Sequence, residues 1–266
     1  MRKARKTNTR DEQPRGRKES PQIDSRTVDQ SLTKFAKPNN HIAPKTENQS
    51  RLINSINQSE ITIVNGPAGV GKTFIVGGVA CKMFNQGDVD KIVLTRANVG
   101  VGKSIGLLPG TVEEKMSPLL MPILSVLRGR MGDGLYAYNM AKKKIEMQPL
   151  EFVRGMSFKD TFLIIDEAQN LTVDDVKALI TRFESGRIVF MGDPMQSDIK
   201  GMNGLDWLTG FSAEYDLDYP TINFDLEDIV RSELVKKFLF ALYASKGIKP
   251  SGKKSALLTG PDVLKA

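Results

Sequence analysis

ITIVNGPAGVGKTFIVGGVACKMFN, residues 61–85, sets a β-branched apolar run, a glycine-rich turn and a helical run in direct succession. The first part, ITIVNG (61–66), has the length and composition of a buried strand. GPAGVGKT (66–73) matches the G-x-x-x-x-G-K-[ST] pattern in full, and a helix follows from about Lys72 to Asn85. The glycines let backbone N–H groups wrap a phosphate, and the helix N-terminus favours its negative charge. Gly66, Pro67, Ala68, Gly69, Val70, Gly71, Lys72 and Thr73 are therefore the candidate nucleotide-binding residues. Lys72 would reach the β- and γ-phosphates of ATP, and the Thr73 hydroxyl would ligate Mg2+. The competing reading, a glycine-rich turn that binds nothing, does not account for the strand and helix on either side.

Outward from this segment, further apolar runs read as strands: KIVLTR (91–96), TFLIIDEA (161–168), RIVFMGD (187–193) and YPTINFD (219–225). Helical patterns lie at 47–58, after Thr172, and over 227–246, where Ile229, Leu234, Phe238 and Leu242 share one side. Short apolar strands alternating with helices predict a parallel sheet covered on both faces, an α/β fold. The stretch 97–158, rich in Gly, Pro and Met, reads as an insertion of short helices and a hairpin between two sheet strands.

The chain has 266 residues and a formal charge of +7. Residues 1–40 hold 11 Lys/Arg against 5 Asp/Glu, while the remainder is nearly neutral. With almost no large apolar residues, that segment reads as a disordered basic arm, for nucleic-acid backbone or for solubility. The expected organisation is an arm over 1–40, one ATPase domain over 41–250 and a tail over 251–266. One Cys and one His exclude a disulfide framework, a zinc cluster and an ordinary Cys/His dyad. Cys81 alone fits a reducing cytoplasm, and no apolar run reaches the length of a membrane span.

FLIIDEAQN (162–170) puts Asp166 and Glu167 where a strand ends, at the edge of a parallel sheet that lines the ligand crevice. Asp166 would hold Mg2+, and Glu167 would polarise the attacking water. VFMGDPMQSDI (189–199) places Gln196 three residues beyond the end of the next strand, where its amide would sense the γ-phosphate or the water. Hydrolysis also calls for an extra cation on the γ-phosphate, and Arg231 and Arg154 are the candidates.

Taken together, these segments resemble the PhoH-like ATPases. The resemblance rests on GPAGVGKT, LTRANVGVGKSIGLLPGTVEEKMSPLL (94–120), PLEFVRGMSF (149–158), FLIIDEAQN, VFMGDPMQSDI and LEDIVRSELV (226–235), and covers roughly 41–246. It departs at Asn98 and Gly100, where many relatives carry a proline and an acid. The family looks like the first RecA-type core of superfamily 1 helicases. The resemblance therefore implies a RecA-like P-loop domain, ATP hydrolysis, and action on RNA or single-stranded DNA. By the same resemblance PKTENQ (44–49) looks like an adenine-side element, with Gln49 reading the base. The PIN-type ribonuclease that some relatives join to this core finds no counterpart in a forty-residue arm, so nuclease activity is not expected.

With one core, the arginine finger is expected from a neighbouring subunit, and a repeated head-to-tail contact closes a ring. A homo-oligomer follows, a hexamer by resemblance to RecA-type rings. Candidates for the nucleic-acid path are Arg96, Lys103, and Lys142, Lys143 and Lys144 beside Tyr136 and Tyr138. A nucleotide-gated protein scaffold with slow hydrolysis and a P-loop phosphotransferase are the alternatives to an ATP-driven motor. Asp166–Gln169 and Gln196 speak against the phosphotransferase.

Overall fold

The computed structural model describes residues 39–97 and 111–245. Residues 1–38 of the basic arm, the tail, Asn98, Gly100 and Lys103 lie outside the described residues. The sheet has six strands, all parallel: β1 (Ile61–Asn65), β2 (Lys91–Arg96), β3 (Ile145–Met147), β4 (Thr161–Asp166), β5 (Gly186–Gly192) and β6 (Thr221–Asn223). Their spatial order is β3-β2-β4-β5-β1-β6. α1 (Glu47–Gln58) precedes β1, and between the strands run α2 (Lys72–Gln86), α3 (Val112–Met131), α4 (Asp133–Ala141), α5 (Leu150–Val153), α6 (Val173–Ile180) and α7 (Gly204–Glu214). After β6 comes α8 (Glu233–Ser245).

Strand side chains alternate between faces, and both faces are apolar, as a sheet buried on two sides requires. Val64, Ile92, Leu94, Phe162, Ile164, Val189 and Met191 pack with α1, α2 and α3. Ile61, Ile63, Val93, Leu163, Ile165, Ile188 and Phe190 pack with α5, α6 and α7. The result is the three-layered RecA-like core expected from the sequence. Cys81 is buried in the first layer, where desolvation pushes its thiol up to about 11. Among the described residues no helix is long and apolar enough to cross a membrane.

Two expectations need correction. The stretch 97–158 contains a 20-residue helix, α3, then α4 and the strand β3, which pairs parallel to β2. Among the described residues of this stretch there is no hairpin, and they extend the core. α3 survives two internal prolines, Pro118 and Pro122, because Met116, Leu120, Ile123 and Leu127 are buried along one side. Near the C-terminus, the helix expected over 227–246 begins only at Glu233. Asp225 accepts from the Glu227 N–H and caps a 3-10 turn at Leu226–Asp228, a local bond that competes with helix. Ile229 is buried ahead of the helix, while Leu234, Phe238 and Leu242 are exposed, Leu234 by 80%. The buried side of α8 is instead Tyr243, with Leu239 and Phe240 partly buried against the first layer.

Candidate nucleotide site

β2, β4, β5 and β1 are successive neighbours in the middle of the parallel sheet, so the loops at their carboxyl ends lie side by side. Gly69 and Gly71 sit at φ +91° and +89°, a backbone that L side chains rarely adopt and that glycine supplies without strain. The loop opens α2, whose N-cap is Gly71, without any side-chain cap. Its first-turn donors are thereby left for an anion.

A cavity of about 360 Å³ lies against this loop, lined among others by Lys72, Thr73, Arg96, Asp166, Glu167, Gln196 and Arg231. Lys72 Nζ donates to the carbonyls of Gly66 (2.5 Å) and Pro67 (3.0 Å). Burial pulls its pKa down, opposed by the charges of Asp193, Asp166 and Glu167. Burial pushes Asp166 up, opposed chiefly by Arg96. Among the described residues there is no group of three His, Cys, Asp or Glu that could hold a metal alone. Thr73 and Asp166 facing one cavity suit Mg2+, which keeps waters and takes phosphate oxygens to complete its shell.

The residue after β4 is strained. Glu167 sits at φ +53°, a left-handed conformation that costs on the order of 1–3 kcal/mol in a non-glycine residue and concentrates at functional sites. Both of its carboxylate oxygens are engaged. Arg96 Nη2 lies 3.0 Å from Oε1, and Gln169 Nε2 donates to Oε2 at 2.6 Å. Gln169 Oε1 accepts from the Asp193 N–H at 3.0 Å. Asp193 Oδ2 then accepts from Gln196 Nε2 at 2.6 Å and from Tyr243 Oη at 2.8 Å. Desolvation, with the Asp193 contact, pushes the Tyr243 hydroxyl up to about 12, so it remains a donor.

The two arginine candidates separate. Arg231 lines the cavity, its Cγ 3.2 Å from where a Cβ on Gly69 would stand, and the Val230 N–H donates to the Gly69 carbonyl at 3.0 Å. Arg154 instead pairs with Asp175 of α6, outside the cavity lining. Gln49 is buried beside the loop. It donates to the Val70 carbonyl (2.8 Å) and accepts from the Lys45 N–H (2.7 Å), so both ends of its amide serve the protein. With Ala43, Lys45, Phe74, Val230 and Arg231 it lines an adjoining cavity of about 230 Å³.

The nucleic-acid candidates also divide. Arg96 lies in the nucleotide cavity. Lys142, Lys143 and Lys144 are exposed just before β3, at the amino-terminal end of the sheet and opposite the cavity. Tyr136 packs against the core, and Lys142 stands 5.9 Å over the Tyr138 ring. Trp207 packs in the second layer, stacked on Phe211 at 4.8 Å. The partners missed in the sequence are Gln169 and Tyr243. Gln169 carried a signal as the fourth residue of DEAQ; Tyr243 carried none beyond helical periodicity.

A phosphate loop, an acidic strand end and the amide of Gln196 around one cavity on a RecA-like sheet define a P-loop NTPase. A family model described as PhoH-like protein matches residues 41–243. The chain belongs to that family. It is 35% identical over 211 residues to the PhoH-like protein of Mycobacterium bovis, covering 77% of this chain and 60% of that protein. It is 34% identical over 220 residues to the PhoH-like protein of Bacillus subtilis, covering 80% and 67%. Against Protein PhoH of Escherichia coli it is 34% identical over 206 residues, covering 75% and 58%. The chain thus spans about 60% of the length of the first of these relatives. Among solved structures, the UvsW helicase of bacteriophage T4 aligns at 13% identity with a TM-score of 0.45, covering 77% of this chain and 70% of that one.

Proposed function

We propose that the protein binds Mg-ATP and hydrolyses it to drive work on RNA or single-stranded DNA. The observation that carries this reading is that Lys72, Thr73, Asp166, Glu167, Gln196 and Arg231 line a single cavity against the phosphate loop. Water would attack the γ-phosphorus as the bond to the β–γ bridging oxygen breaks, with Glu167 taking the water proton and ADP leaving. Lys72 and Arg231, both from this chain, would spread the charge that develops on the γ-oxygens. Mg2+ held by Thr73 and Asp166 would supply further charge neutralisation. Gln196, tied to Asp193, would register the γ-phosphate. Gln49 would reach adenine's edge from the adjoining cavity by exchanging its bonds to the loop.

Coupling to a polymer and assembly into a ring, with a hexamer as the count, are parts of the same proposal. Within a ring Arg154 would have to act on the neighbour's site, since Arg231 already covers its own. Lys103 and the lysines at 142–144 remain the candidate polymer contacts. A cytoplasmic setting completes this reading.

The test is phosphate release from Mg-ATP, with and without single-stranded RNA and DNA, beside Lys72→Ala and Glu167→Gln. Hydrolysis lost in both variants and raised by a polymer supports a nucleic-acid-coupled ATPase. Turnover indifferent to every polymer would favour a nucleotide-gated protein scaffold. That second reading draws on the exposed Leu234, Phe238 and Leu242 of α8.

A further inference from the structure

We propose that the site takes a nucleoside triphosphate whatever its base, because the base is held by stacking on Phe74 and is not selected at its edge. This rests on the reading of the phosphate loop as a triphosphate site. The cavity of about 230 Å³ beside the loop shares Gly69, Gly71, Phe74 and Arg231 with the larger one. A nucleotide whose phosphates lie in the larger cavity would therefore put its base in the smaller. Phe74, in the first turn of α2, lines both and is 48% exposed. Arg130 stands over the same ring, its Cζ 4.9 Å from the centroid, and is itself buried. Its Nη1 donates to the carbonyls of Asn39 (3.1 Å) and His41 (3.0 Å), in the segment that brings Ala43 and Lys45 to the cavity wall. One buried guanidinium thus fixes both the ring and that segment, and a flat aromatic surface is set in place before a base arrives.

The edge of the base meets no group that is left waiting for it. A site rejects a wrong ligand strongly when that ligand leaves a buried polar group unpaired. The polar side chains on the wall of the smaller cavity are Lys45, Gln49 and Arg231. Gln49 already donates to the Val70 carbonyl at 2.8 Å and accepts from the Lys45 N–H at 2.7 Å. Turning it to adenine exchanges two hydrogen bonds for two, with little net gain. A base that offers it nothing leaves both bonds in place, so no penalty falls on that base. The side chains of Lys45 and Arg231 carry only donors, and every nucleobase presents a ring nitrogen or a carbonyl to accept from them. Stacking is equally tolerant, because every base has a π-face.

The experiment measures phosphate release from the Mg2+ complexes of ATP, GTP, CTP and UTP, and binding of a ribose-labelled fluorescent derivative of each, for wild type, Phe74→Ala and Phe74→Trp. Inorganic tripolyphosphate, which has no base, serves as competitor, and Lys72→Ala controls for contaminating enzymes. In the wild type the four nucleotides should agree in affinity and in kcat/KM within about tenfold, far below the discrimination of a site that pairs with its ligand's edge. Phe74→Ala should weaken all four by about tenfold or more, the loss of one stacking contact, and leave the inhibition constant of tripolyphosphate within about twofold. Phe74→Trp, which keeps a stacking face, should restore the affinity for all four. A preference for one base of about a hundredfold or more would overturn the proposal. So would Phe74→Ala binding all four as the wild type does, or losing tripolyphosphate by the same factor as the nucleotides, which is the mark of a merely structural role. Absence of phosphate release from all four, with binding retained, would instead remove the hydrolysis reading, and the binding arm would still decide whether the base matters.

Discussion

The two sides of the nucleotide cavity are assembled differently. On one side, the phosphate cradle comes from consecutive residues, 66–73, and its recognition groups are backbone N–H donors shaped by Gly69 and Gly71. On the facing side, Arg96, Glu167, Gln169, Asp193, Gln196 and Tyr243 come from β2, β4, β5, their loops and α8, joined by side-chain hydrogen bonds. A local cradle can bind whatever the rim is doing. A rim built from distant segments makes the chemistry depend on how the layers are packed. Affinity and turnover should therefore be separable by mutation.

The sharpest challenge to that separation is Gln169→Ala. It removes the bonds to Glu167 and to the Asp193 N–H from a side chain that is 1% exposed. A buried unpaired donor and a small cavity should cost about 2–3 kcal/mol, and Tm should fall by about 5–10 °C. Nucleotide affinity, measured by titration below the new Tm, should stay within about threefold if the cradle acts locally.

Gly71→Ala attacks the other side. A Cβ there meets Gln49 Nε2 at 2.8 Å on a backbone at φ +89°. A stability loss of about 1–2 kcal/mol is expected in thermal unfolding. A weakening of nucleotide binding by about tenfold should accompany it, since that corresponds to about 1.4 kcal/mol of lost contact with the phosphates. Equal losses of affinity in Gln169→Ala and Gly71→Ala would mean that cradle and rim are one unit.

Tyr243→Phe keeps the ring packed in the core and deletes the bond to Asp193. Chemical denaturation should show a loss of about 1 kcal/mol, and any change in turnover would place α8 in the rim's network. The smallest effect is expected on the opposite side of the same helix. Leu234→Ser, at a position 80% exposed, should change stability by under about 0.5 kcal/mol. A larger loss would mean that this apolar stripe is covered in solution.

The periodicity of α8 does not by itself select its inward side. ELVKKFLFALYAS has apolar residues on more than one side, and the stripe Leu234–Phe238–Leu242 looks as complete as the one that is buried. What selects the inward side is the Tyr243 hydroxyl, which reaches a buried carboxylate fifty residues away in the chain. Arg96 shows the same limit. At the end of a strand beside a glycine-rich segment it reads as a nucleic-acid contact. Only the pairing of β2 with β4, Arg96 opposite Asp166, brings it to the acidic strand end.

The sequence alone determined the parallel α/β core, the cradle at 66–73 and the acidic strand end at Asp166 and Glu167. Each is carried by adjacent residues whose composition is tied to their local conformation: β-branched runs, glycines at positive φ, and a polar step at the end of an apolar strand. Tertiary structure alone decided that Arg96 and Gln169 hold the two oxygens of Glu167, that Arg231 rather than Arg154 covers the loop, and which side of α8 is buried. Those depend on strand order and on hydrogen bonds between residues far apart in the chain, which side-chain type and spacing along a single segment do not encode.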